Sequence, residues 1–270
     1  MWEKVQETVN FIKDKTNFIP EYGVILGSGL GQFTEDIAIE YVLDYAAIPN
    51  FPVSTVQGHK GALVFGWIQD KKVVAMQGRF HYYEGYDMKQ VTFPVRVMKS
   101  LGVQKLIVSN ASGGVNSLYK VGDLVVLTDH INMLPEHPLR GYNDERFGPR
   151  FVNMSTPYSP LLIDQAFAVA KELNITLQKG IYLALQGPTF ETLAEYKMVK
   201  AMGADCVGMS TVPEVIVARH MNLECFGISV ITDIGNEANM EEVNHEEVLE
   251  AAKKAEPQVR NLIKNLIIRS

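Results

Sequence analysis

Nine consecutive residues, Gln77-Gly78-Arg79-Phe80-His81-Tyr82-Tyr83-Glu84-Gly85, gather a permanent cation, a titratable imidazole and aromatic rings around glycines. Arg79 presents a flat fork of donors that suits an oxyanion such as phosphate, and His81 is a second donor two residues on. The run directly follows a strand-like stretch, Val73-Val74-Ala75-Met76, and loops after strands often carry sites. In an extended segment alternate side chains point the same way, so Arg79, His81 and Tyr83 are expected to line one wall. A surface arginine beside ordinary core aromatics would account for the same residues. The chemical reading gains weight from other segments that look built for small anions and flat ligands.

Gly27-Ser28-Gly29-Leu30-Gly31 follows the first strand-like run. Its glycines let backbone N–H groups wrap an anion, and Ser28 adds a hydroxyl donor. A dinucleotide fingerprint would need its third glycine at position 32, which is Gln32, and the P-loop lysine is missing. A tight turn is the plainer alternative. Ser109-Asn110-Ala111-Ser112-Gly113-Gly114 leaves the run at 106–108. Its small residues would let a flat ligand press on the backbone, with the Ala111 N–H donating to an anion; an ordinary strand-to-turn junction is the alternative. Gln186-Gly187-Pro188-Thr189-Phe190-Glu191-Thr192 passes from a strand into a helix. Phe190 can stack on an aromatic ring and Glu191 can accept hydrogen bonds from a heterocycle edge, although an acid at a helix start also complements the macrodipole. Cys206-Val207-Gly208-Met209-Ser210-Thr211 supplies a hydroxyl and a soft apolar contact. It lacks the last glycine of a hydrolase nucleophile elbow, so Ser210 is not read as a nucleophile. His130 and His137, with Asp129 and Glu136, have neither zinc spacing nor a cysteine and read as a structural loop without metal. His59 sits in a polar stretch at 55–60 expected to be a loop.

The elements that must position these groups follow from periodicity. Runs at 24–26, 63–67, 73–76, 106–108, 124–127, 182–185 and 226–231 are mostly continuously apolar, as in strands covered on both faces. Helical periodicity occupies 5–12, 91–101, 161–173, 192–202, 215–221 and 248–268, and Asn244 with Glu247 makes an N-cap signal for the last. The alternation predicts an α/β fold with a central mixed sheet flanked by helices. Ligands in such sheets sit beyond the carboxyl ends of the strands, where all the motifs fall. With no repeat, low-complexity tract or linker, residues 1–270 are expected to form a single domain. Net charge is −6 with a pI near 5.6, which leaves no basic face for nucleic acid. Cys206 and Cys225 read as buried thiols in a reducing compartment. The charged opening at 1–7 lacks a signal-peptide core and no apolar run approaches a membrane span, so a soluble cytoplasmic protein is expected.

Taken together and in order, these segments resemble the trimeric purine nucleoside phosphorylases. The resemblance is carried by Leu26-Gly27-Ser28-Gly29-Leu30-Gly31, the stretch 77–85, Asn110-Ala111, Gly187-Pro188-Thr189-Phe190-Glu191-Thr192, Val207-Gly208-Met209-Ser210-Thr211-Val212-Pro213-Glu214 and Asn244-His245-Glu246-Glu247-Val248. It implies one α/β domain with a distorted mixed sheet, and phosphorolysis of purine ribo- and deoxyribonucleosides in purine salvage. By resemblance, Ser28, Arg79, His81, Ala111 and Ser210 would bind phosphate. Tyr83, Met209 and His245 would hold the ribose, together with Phe151 from the neighbouring subunit of a homotrimer. Ala111, Phe190, Glu191, Val207, Gly208 and Asp233 would hold the base. His81, Glu191 and Asp233 would be the catalytic groups. Inorganic phosphate is then a substrate, and no cofactor or metal is implied.

One position departs from the family pattern. Members specific for 6-oxopurines usually carry asparagine where this chain has Asp233. An ionised aspartate only accepts, so it would repel O6 and welcome a 6-amino group; alternatively burial and Glu191 could keep it protonated and able to donate. Inosine and guanosine are the first expectation, with adenosine admitted by Asp233. The related methylthioadenosine phosphorylases share the acidic position and form the second reading, although His245 suits a 5′-hydroxyl better than a methylthio group. A non-catalytic purine-binding protein is the third, and intact Arg79, His81 and Glu191 argue against it.

Overall fold

The apolar runs fold as interior strands in the computed structural model, which describes residues 1–53, 55, 60–235 and 244–270. Helix α1 (Trp2–Lys15) leads into β1 (Tyr22–Ile25), β2 (Ala38–Asp44), β3 (Ala62–Ile68) and β4 (Lys71–Gln77). Helices α2 (Met88–Val91) and α3 (Phe93–Leu101) precede β5 (Lys105–Gly114) and β6 (Leu124–Asn132). After α4 (Pro160–Leu173) come β7 (Leu177–Ala184), α5 (Leu193–Ala201), β8 (Cys206–Gly208), α6 (Val212–His220), β9 (Glu224–Ile234) and α7 (His245–Arg269). Among the described residues no helix is long and apolar enough to cross a membrane.

The strands hydrogen-bond in the order β2-β3-β4-β1-β5-β8-β7-β6-β9, and β9 returns to pair with β5. Strands β5, β8, β7, β6 and β9 therefore close a ring, while β1 to β4 form an open arm. Pairing is parallel for β4-β1-β5-β9 and for β6-β7-β8, and antiparallel for β2-β3-β4, β5-β8 and β6-β9. This is the mixed, distorted sheet expected from the sequence. Helix α1 packs on α3, α4 on α7, and α7 lies over β9, so the central strands are covered on both faces.

Three local readings are corrected. Strand β2 escapes the sequence pattern because it is a largely exposed edge, with Ile39 and Val42 turned to solvent, and so lacks the apolar run of an interior strand. The helix expected over 91–101 is two helices, α2 and α3, which meet at Thr92, with Pro94 in the first turn of α3. Proline fits a first turn, where its missing N–H is not needed. Residues Ser109 to Gly114, expected to lie beyond the end of the strand at 106–108, instead continue β5, which runs beside β9 from Lys105↔Glu224 to Gly114↔Ile234. Their small side chains suit this crowding. Asn110 and Ser112 both bond Ser229 across the pair, Ser112 at 2.7 Å.

Candidate active site

Strands β4, β1, β5 and β9 run parallel, so their carboxyl ends meet along one edge. A cleft of about 610 Å³ opens there, a size suited to a small ligand. The turn after β1 contributes Ser28, and the turn after β4 contributes Arg79, His81 and Tyr83. Ala111 and Gly113 come from β5, and Phe190 and Glu191 from the passage between β7 and α5. Strand β8 and its exit give Val207, Gly208, Met209 and Ser210, β9 gives Thr232 and Asp233, and α7 gives His245. The first residues of α7 sit there because Asn244 caps it, its side chain accepting the Glu247 N–H at 2.9 Å. Thr192 caps α5 with Glu195 in a reciprocal box, which fixes Glu191 just outside the helix.

A break in strand pairing makes room for the cleft. Strand β5 pairs with β1 as far as Val108 and with β8 only from Gly113. Between these points its edge has no strand beside it among the described residues. The Ser109 carbonyl on that edge accepts from Arg79 Nη1 at 2.7 Å. Backbone groups alternate sides along a strand, so the Ala111 N–H points the same way.

At this end the arginine is held more tightly than its sequence suggested. Arg79 is 1% exposed. Its Nε and Nη2 donate to the two Glu214 oxygens at 3.1 and 2.8 Å, and Nη1 reaches Ser210 Oγ at 3.2 Å. The fork thus grips a buried carboxylate in the first turn of α6, and the Nη1 edge faces the cleft serine. Next to Ser210, Thr211 has φ +68, an outlier for a β-branched residue. A hydrogen bond from Asn110 Nδ2 to Thr211 Oγ1 at 2.9 Å holds it. Such stored strain is characteristic of functional sites.

Arg79, His81 and Tyr83 do share a wall, but not by strand alternation. Residues Tyr82–Glu84 form a single 3-10 turn. The His81 and Tyr83 rings stack with centroids 4.7 Å apart and an interplanar angle of 16°. Burial lowers the His81 pKa, with the Glu84 contact at 3.1 Å opposing it. Burial disfavours the Glu84 charge, yet hydrogen bonds from His81 and Thr55 outweigh it and hold its pKa near 2.

The opposite end holds two carboxyl groups whose charge is disfavoured. Burial, then the nearby Asp233, pushes Glu191 up to about 7 against its own backbone hydrogen bond. Burial also raises Asp233, opposed by two donors: Tyr196 Oη at 2.9 Å from Oδ2 and Thr232 Oγ1 at 3.1 Å from Oδ1. Phe190 and Val207 give the apolar walls beside them.

Of the residues expected at the site, Phe151 alone does not line this cleft. It is 90% exposed and lines a separate cavity of about 740 Å³ with His130, His137, Arg140 and Arg150. Asp129 and His130 lie in β6 rather than in a loop, and burial lowers His130 to about 4. Among the described residues no group of three or more His, Cys, Asp or Glu is placed to hold a metal ion. His59 lies outside the described residues. Sequence reasoning missed Glu214, Tyr196 and Thr232 as supports. The only signal for Glu214 was an acid inside an apolar helix, and Tyr196 looked like one more core aromatic.

The family model described as the phosphorylase superfamily matches residues 21–268. A curated relative, purine nucleoside phosphorylase 1 of Bacillus subtilis (strain 168), is 48% identical over 99% of this chain and 98% of its own. A crystal structure of isoform 2 of the purine nucleoside phosphorylase of Schistosoma mansoni, with cytosine and ribose-1-phosphate, superposes with a TM-score of 0.95 at 40% identity, covering 99% of this chain and 96% of that one. The purine nucleoside phosphorylase of the same organism with adenosine gives 0.93 at 42% identity, covering 98% and 96%.

Proposed function

The chain belongs to the purine nucleoside phosphorylase family, enzymes that phosphorolyse purine nucleosides, and we propose that its cleft seats phosphate and nucleoside end to end. In that reaction a phosphate oxygen bonds to the anomeric carbon as the bond to the purine nitrogen breaks. The base leaves with the electron pair and takes up a proton, giving free purine and a sugar 1-phosphate. Arg79, Ser28, Ser210, His81 and the Ala111 N–H hold the phosphate beside the sugar cation that develops. Tyr83, Met209 and His245 hold the sugar. Phe190, Val207, Gly208 and the same short stretch of β5 sandwich the base, with Glu191 and Asp233 at its edge. A carboxyl group with a pKa near 7 can donate a proton to the departing purine near neutral pH. Most of the acceleration is then orientation and electrostatic stabilisation, without a covalent enzyme intermediate. Phosphate is the second substrate, and this chemistry asks for no metal or cofactor.

The single observation that carries this reading is the polarity of the cleft. Arg79 and Ser210 stand at one end, and two carboxyl groups disfavoured as anions stand at the other. Release of purine from inosine should depend on added phosphate and yield one sugar 1-phosphate per base. Release at the same rate without phosphate would overturn it.

Inosine and guanosine are the favoured substrates, with adenosine accepted because Asp233 can receive a 6-amino group. Phe151 supports a homotrimer: an aromatic ring this exposed, beside a second cavity, is suited to insertion into a neighbour's sugar pocket. The whole chain acts as one domain, in cytoplasmic purine salvage.

A further inference from the structure

We propose that Tyr196 is a positioning residue that sets the choice between 6-amino and 6-oxo purines, by committing its one hydroxyl proton to Asp233. The proposal rests on the reading that Asp233 meets the base edge.

Tyr196 is 4% exposed and does not line the cleft; its ring packs with Val115, Leu183, Val199 and Val207 behind the site. Its position is over-determined. A methyl group at Gly235 would stand 2.2 Å from the ring, and one at Gly113 would stand 2.8 Å from Asp233 Oδ2 and 3.2 Å from the Tyr196 oxygen. Only glycine at these two places leaves room for the pair. The hydroxyl lies 2.9 Å from Asp233 Oδ2, and Thr232 Oγ1 lies 3.1 Å from Oδ1 and 3.3 Å from the Ser112 carbonyl, so Oδ2 has a donor of its own and Oδ1 a shared one.

A carboxylate that already receives two hydrogen bonds is stabilised as an anion. Facing the base, it offers acceptors only, which match an exocyclic amine and oppose a carbonyl. Tyr196 therefore opposes the effect of burial, which disfavours the Asp233 charge. Among the described residues, Glu191 in the cleft acts on Tyr196 together with Asp233, Glu195 on α5 acts in turn on Glu191, His245 at the start of α7 lines the same cleft, and β5 brings glycine to the pair and no charge. The Tyr196 hydroxyl also faces Glu191, but it has a single proton, and Asp233 receives it.

The test compares kcat/KM for adenosine and inosine at saturating phosphate, across pH, in wild type, Tyr196→Phe, Asp233→Asn and the double variant. Loss of a hydrogen bond to a charged group corresponds to about tenfold or more. Tyr196→Phe should lower the adenosine-to-inosine ratio by about tenfold and move the acid limb of the adenosine profile to higher pH. Asp233→Asn should lower the ratio too, and adding Tyr196→Phe to it should change the ratio no further. Replacing Tyr196 by 3-fluorotyrosine, a stronger donor of the same shape, should move the acid limb to lower pH, and it serves equally if the phenylalanine variant does not fold. A ratio unmoved by Tyr196→Phe but shifted by Asp233→Asn sinks the role of Tyr196 and leaves the base reading standing. A ratio unmoved by Asp233→Asn sinks both. Equal losses for both nucleosides, or an unmoved pH limb, would mean a merely structural tyrosine and overturn the proposal.

Discussion

Replacing Glu191 by glutamine is expected to stabilise the protein, and to do so more as pH rises. The carboxyl group has a pKa of about 7 in the fold against 4.5 for an ordinary glutamate. Between those values the folded state binds a proton that the unfolded chain has released, so unfolding gains from each increment of pH. The folded state therefore has its full share of stability from this group below pH 4.5 and loses it as pH climbs through about 7. Every tenfold difference in proton affinity between the two states corresponds to about 1.4 kcal/mol. The whole window then gives roughly 3 kcal/mol as an upper figure, since the side chain keeps some contact with solvent. Glutamine has no proton to lose and escapes the penalty. Urea unfolding of both proteins at a series of pH values from about 5 to 8 measures the difference directly. Asp233 titrates in both proteins, so the growing gap between the two curves reports Glu191 together with its charge coupling to Asp233. A gap that stays flat across this range, or one that narrows as pH rises, would refute the assignment of a raised, buried acid. Activity should fall in the same variant, because amide nitrogen cannot deliver a proton to the leaving base.

Glu214→Ala should cost about 3–5 kcal/mol of stability, because it leaves Arg79 buried without its carboxylate; denaturant melts check this, and a loss below about 1 kcal/mol would contradict it. Methionine at both positions, matching the volume apolar for polar, should recover much of that stability while abolishing phosphate-dependent turnover. Phe151→Ala should raise the nucleoside KM by about tenfold with the phosphate KM little changed, and nucleoside KM should rise on dilution if the ring enters a neighbour's pocket. A Phe151→Ala protein with wild-type KM would remove the support for a composite site.

How much of this was legible in the sequence depended on whether a residue's task is local. The glycine turn at Ser28 and the stretch at Arg79 announced themselves because each follows a strand closely and carries polar chemistry where a turn must leave the sheet, and the acid at Glu191 because it stands just before a helix cap. The Asn244 cap was readable for the same reason: its partner is three residues away. Strand β2 was not, since an exposed edge has no apolar run to mark it. The length of β5 was hidden too, because Ser109-Asn110-Ala111-Ser112-Gly113-Gly114 is a turn composition unless one knows that β9 runs beside all of it and β8 joins at Gly113 and Gly114.

The supports behind the cleft were out of reach for a different reason. Glu214 lies 135 residues from Arg79, and Asp233 lies 37 from Tyr196. Neither spacing corresponds to a helical turn, a strand alternation or a cap, so no periodicity can pair them. What they share is burial: a polar atom inside the fold must find a partner or cost the fold a large part of its stability. Arg79, Asp233 and Asn110 each meet that demand with a residue from another element, and in doing so each is fixed relative to the cleft. The partner decides how each faces the cleft. Glu214 holds one side of the Arg79 fork and turns the Nη1 edge toward Ser109 and Ser210, and Tyr196 donates to one oxygen of Asp233. The side chains that line this cleft are therefore held in place by partners one layer behind it.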